Sequence, residues 1–88
     1  EGTVNHAAPI IREIFQRALQ HFAVSIICVH NHPAGDVTPS AEDKTFTKEL
    51  CEAGKLLGIK VLDHVILGDN EFYSFTDEGN ISQKITIN

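Results

Sequence analysis

Two histidines, a serine and an aspartate fall in one short stretch, His30-Asn31-His32-Pro33-Ala34-Gly35-Asp36-Val37-Thr38-Pro39-Ser40-Ala41-Glu42-Asp43. His30 and His32 close an apolar run that starts at Val24. In an extended chain, residues i and i+2 project to the same side, so both imidazoles face one point. Asp43 opens the following helical pattern, three residues before Phe46 on its apolar stripe, and its carboxylate therefore leans toward the sheet. Two imidazoles and a carboxylate make three protein ligands, the count a catalytic zinc uses while keeping a fourth position for water. One Zn2+ per chain would bring the pKa of that water to about 7 and polarise a carbonyl. Ser40 stands near enough to offer its hydroxyl to a developing oxyanion, and the same hydroxyl suits a helix cap. A His-x-His pair alone is a weak signal. Pro33, Gly35, Ser40 and Asp43 at this spacing make it a specific one.

The elements that must position these groups follow from periodicity. Pro9 suits the first position of a helix. Ile10, Ile11, Ile14, Phe15, Ala18 and Leu19 then recur with helical spacing, and the pattern ends near His21. Residues 23–29 are β-rich and almost wholly apolar, as expected of a central strand covered on both faces. Ser40 is placed to cap the N–H of Asp43, and Glu42 and Asp43 suit the positive end of a helix dipole. Phe46, Leu50, Ala53 and Leu57 form the expected buried stripe, and Gly58 ends it. Residues 59–67 read as a second strand, Gly68-Asp69-Asn70 as a turn, and 71–75 as a strand hairpin-paired to the second. Residues 1–8 read as irregular or a short edge strand, and Ile81, Ile85 and Ile87 as a last edge strand. Strand, loop, helix, strand implies a right-handed crossover between parallel strands. The class is α/β or α+β, a small mixed sheet flanked by helices.

Composition narrows the function. The chain has 88 residues, a single domain, with a formal net charge of -5 from 12 acids against 7 lysines and arginines. No basic run interleaved with aromatics is present, which argues against nucleic-acid binding by this domain alone. No segment approaches the ~18 apolar residues of a membrane span. Cys28 and Cys51 read as buried free thiols of a cytoplasmic protein. Neither is placed to close the metal site as a fourth ligand. Asp63 and His64 lie on the strand expected beside the histidines. Either could hydrogen-bond a ligand or line the pocket, although a satisfied core histidine is the simpler account of His64. His6 and His21 read as surface residues, and Asp36 as a turn residue beside Gly35.

The pattern His-x-His-Pro, six residues, Ser, two residues, Asp resembles the JAMM (MPN-plus, JAB) zinc metallopeptidase motif. The wording from His30 to Ser40 is similar to the bacterial RadC branch, which carries a DNA-repair label. So are Glu1-Gly2-Thr3, the segment from Glu52 to Ile59, and Leu62-Asp63-His64-Val65-Ile66-Leu67-Gly68. The resemblance implies a cytidine-deaminase-like three-layer α/β/α fold, zinc on His30, His32 and Asp43, and Ser40 as the oxyanion-assisting serine. It implies a peptide- or isopeptide-like substrate and a general-base glutamate on an earlier strand, expected upstream of Glu1. The first expectation is thus a zinc hydrolase acting on amide bonds. The alternatives are a non-catalytic scaffold and a DNA-repair accessory.

Overall fold

A computed structural model of the protein describes residues 8–33, 35–79 and 81. The elements run α1 (Ala8–Gln20), β1 (Ser25–Asn31), α2 (Ala41–Leu57), β2 (Lys60–Leu67) and β3 (Phe72–Ser74). β1 and β2 are parallel, joined across α2, and β2 turns back into antiparallel β3. This is the mixed α/β architecture that the alternation of patterns implies. The edge strands expected at 1–8 and from 81 onward fall on residues outside the described set, apart from Ala8, which is helical, and Ile81, which is buried.

Sheet order corrects one expectation. The strands lie β1-β2-β3, so β2 is the middle strand and β1 an edge among the described residues. Nor is β1 covered on both faces: Ile27 and Val29 stay 59% and 55% exposed, while Ile26, Cys28 and His30 turn inward. An unbroken apolar run shows that a strand avoids charge, but not which neighbours cover it. β1 also runs two residues further than its apolar run, because Asn31 pairs with Leu67 and the His32 N–H bonds to the Leu67 carbonyl. That pairing keeps the chain extended through both histidines.

One core joins Ile11, Phe15 and Ala18 of α1, Leu50 of α2, and Ile59, Val61, Ile66, Phe75 and Ile81. The α1 stripe is narrower than expected, since Ile10 and Leu19 are about half exposed. On α2 the buried positions are Thr47, Leu50 and Gly54, and Leu57 is 47% exposed. The helix is rotated from its apolar stripe because it meets the sheet through small and polar groups. A methyl at Gly54 would run into the Ile59 carbonyl oxygen, so only glycine permits this approach.

The helix ends match their sequence signals. Ser40 and Asp43 form a reciprocal capping box, and Gly58 closes α2 in the left-handed region at φ 73°. At the end of α1, Phe22 takes the corresponding left-handed position at φ 57°. There the Ala23 N–H reaches the Ala18 carbonyl and the Phe22 N–H the Leu19 carbonyl, a Schellman pattern normally built on glycine.

Candidate metal centre

His30, His32 and Asp43 converge at the C-terminal end of β1, where the strand hands the chain to α2. Their ligand atoms all lie within 4.8 Å of one another, a group that could hold a metal ion. His30 Nε2 is 3.5 Å from Asp43 Oδ1, and His32 Nε2 is 3.1 Å from Asp43 Oδ2. The carboxylate thus spans the two rings with one oxygen each. Its side chain is 14% exposed and the rings are 36% and 21% exposed, so the centre is sheltered yet reachable from solvent.

Each group is held by a second contact. The Ser40 N–H donates to Asp43 Oδ2 at 2.8 Å, and the Asp43 N–H donates to Ser40 Oγ at 3.0 Å. The capping box that starts α2 therefore also aims the carboxylate. Burial works to raise the Asp43 pKa, but the hydrogen bonds from Ser40 and the adjacent His30 and His32 outweigh it and hold it below the usual value. His32 Nδ1 lies 2.8 Å from the main-chain carbonyl of Asp36. A carbonyl only accepts, so Nδ1 carries the hydrogen and donates it. Asp36 itself is fixed by accepting from the Thr38 N–H and hydroxyl, which accounts for its turn role.

The donor set decides what the centre wants. With its hydrogen committed to Asp36, neutral His32 presents a bare Nε2 lone pair to a carboxylate oxygen 3.1 Å away. Two lone-pair atoms at that distance repel unless positive charge lies between them, as an added proton or a metal ion. A second imidazole aimed at the same carboxylate gives the group the two-imidazole, one-carboxylate donor set that a metal ion such as zinc accepts.

Ser40 sits beside the centre, and its hydroxyl accepts the Asp43 N–H while its own hydrogen is available to donate. His64 and Asp63 part company. β2 carries one extra residue, Leu62, between the pairs Ile26↔Val61 and Ile27↔Asp63. This bulge sets His64 opposite Cys28, on the face of His30, and leaves Asp63 opposite exposed Ile27. His64 is fully buried, stacked on Phe75 with 4.8 Å between ring centroids, and its Nε2 lies 3.1 Å from His30 Nδ1. Burial foremost, with His30 adjacent, pushes its pKa down to about 4. Asp63 is not brought into the centre. Its carboxylate accepts from the His64 N–H, the Ser74 hydroxyl and the Thr76 N–H, tying β2 to β3.

Thr47 is the residue that sequence reasoning passed over. Its hydroxyl donates to the Asp43 carbonyl at 2.9 Å and lies 2.6 Å from His64 Nδ1. The available signal was its place four residues after Asp43, on the same helix face. His21 is exposed, as expected. Cys28 and Cys51 are half-buried free thiols whose pKa values are raised chiefly by burial, and neither joins the centre. No helix among the described residues is long and apolar enough to cross a membrane.

Comparison with known proteins is consistent with this geometry. Residues 1–80 match a family model described as a RadC-like JAB domain. A UPF0758 protein of Geotalea uraniireducens (strain Rf4) is 56% identical over 79 residues, covering 90% of this chain and 35% of that protein. A UPF0758 protein of Bacillus cereus (strain B4264) is 50% identical over 80 residues, 91% of this chain and 36% of its own length. One from Bacillus anthracis (strain CDC 684 / NRRL 3495) is 49% identical over the same shares. The chain spans about a third of the length of these relatives.

Proposed function

The chain belongs to the RadC-like JAB domain family, and from that premise we propose that it is a zinc-dependent hydrolase of peptide- or isopeptide-like bonds, with His30, His32 and Asp43 as the metal ligands. One observation supports the reading: two imidazoles and a carboxylate bring ligand atoms within 4.8 Å of one another, with the His32 Nδ1 hydrogen committed to the Asp36 carbonyl. Zinc held by these three residues would supply a Lewis acid and lower the pKa of water at the site. The protein's own share is to orient and to donate. The capping box fixes the carboxylate, the Asp36 carbonyl fixes His32, and the Ser40 hydroxyl donates to the oxygen that gains charge as the amide carbonyl is attacked. One zinc per chain is the expected result of elemental analysis, lost in His30→Ala and Asp43→Ala. Chelator-sensitive cleavage within a panel of peptides and isopeptides completes the case, and zinc binding without any cleavage would sink the catalytic half.

A second reading keeps the ligand group, in which Asp43 is the one carboxylate among the described residues, and drops the catalysis. A metal-stabilised scaffold that binds partners would then bind zinc at the same ligands and cleave nothing. A role on DNA finds little support in a chain with a net charge of -5.

A further inference from the structure

We propose that His64 is a positioning residue that holds His30 in the one tautomer able to present Nε2 to a metal, and that Thr47 sets the direction of the proton chain. The inference deepens the metal-site reading above and rests on it.

The hydrogens can be traced from the helix end. The Thr47 hydroxyl has one hydrogen and gives it to the main-chain carbonyl of Asp43, 2.9 Å away. Its lone pairs then face His64 Nδ1 at 2.6 Å, so Nδ1 carries the ring hydrogen and donates it. A neutral ring has only one, which leaves His64 Nε2 bare. That atom lies 3.1 Å from His30 Nδ1 and accepts its hydrogen. His30 Nε2 is then left with a lone pair, and it is the atom aimed at Asp43. Traced from the other end, a ligating Nε2 on His30 demands a hydrogen on Nδ1 and an acceptor beyond it, and His64 Nε2 is that acceptor. Both ends give the same direction.

The arrangement is rigid. His64 is fully buried, clamped between the Phe75 ring, parallel to within 3°, and the Phe46 ring at a 5.5 Å centroid distance. Metal-bound histidines more commonly donate to a carboxylate or a carbonyl. His32 follows that habit, with the Asp36 carbonyl as its acceptor. His30 is served by a neutral imidazole, which orients the ligand without adding negative charge. The chain also returns to the other ligand, because its last acceptor is the main chain of Asp43.

The test compares three variants of the full chain. In metal-free wild type, nitrogen-15 NMR should find His30 protonated at Nδ1 and bare at Nε2. His64→Phe keeps the buried ring but removes the acceptor. It should release His30 into a tautomer mixture and weaken zinc binding by about 10–100-fold, the usual cost of losing such a partner. His64→Gln, whose amide oxygen can stand in for the Nε2 acceptor, should recover most of both. Thr47→Val should leave the fold intact, randomise the His64 tautomer and weaken zinc several-fold, and it decides the matter if His64→Phe does not fold. An unchanged His30 tautomer and unchanged zinc affinity in folded His64→Phe, or in Thr47→Val in its place, would overturn the proposal. If wild type shows the Nδ1–H tautomer, lost in His64→Phe, yet binds no zinc, the positioning stands and the metal reading fails.

Discussion

Asp43 uses one carboxylate for two tasks, closing the capping box of α2 and facing both imidazoles. Ser40 is bound to it in the first task through the reciprocal hydrogen bonds of the cap. Ser40→Ala should therefore lose about 1 kcal/mol of stability as a cap. If its hydroxyl meets the oxyanion, turnover should also fall by about 10²–10³ with zinc stoichiometry unchanged. Thermal melts, metal analysis and kcat separate the two. His64 makes a prediction about pH in the metal-free protein. Its folded pKa, about 4, lies below its ordinary value, so below pH ~6.5 the unfolded chain binds a proton that the native state refuses. Its contribution to stability is complete above that pH and is lost on acidification down to about pH 4, with a slope of up to about 1.4 kcal/mol per pH unit. Denaturant midpoints across this window should fall in wild type and flatten in His64→Phe.

At the scale of elements, close approaches position the centre. Gly68, where β2 ends, lies against the loop that carries His32: a methyl there would strike the Gly35 carbonyl and Val37. Gly68→Ala should displace that loop, costing about 1–3 kcal/mol and weakening zinc binding more than a cap mutation does. Calorimetric titration with zinc measures the second effect. The end of α1 offers the opposite case. Phe22 is 91% exposed and sits at φ 57°, where a side chain is strained and glycine is not. Phe22→Gly should raise stability by about 1 kcal/mol without touching the site, seen as a higher melting temperature. The bulge at Leu62 has the largest consequence of all, because it chooses which of two adjacent side chains reaches His30.

For the molecule as a whole, a metal ion held at the centre would add its binding free energy to the stability of the fold. Nine apolar residues form the described core, and the sheet face bearing Ile27 and Val29 is open among the described residues. Zinc at 100 times its dissociation constant should add about 2.7 kcal/mol, raising the melting temperature by on the order of 10 °C, and a chelator should reverse it. The convergence of His30, His32 and Asp43, the Ser40 cap, the crossover and the hairpin were legible in the sequence, because each rests on local spacing: i and i+2 on a strand, a serine three residues before an aspartate, a turn signal between two β-rich runs. The roles of Thr47, His64 and Asp63 were not. Asp63 and His64 stand side by side, and alternation alone cannot tell which faces the metal centre once an extra residue enters the strand. Thr47 is polar and falls outside any apolar stripe, yet it is buried because its hydroxyl has two partners. Sequence determined which groups could meet a metal ion. Tertiary structure decided which groups hold them there, since that depends on strand register, helix rotation and hydrogen-bond direction, and none of these is encoded at short range.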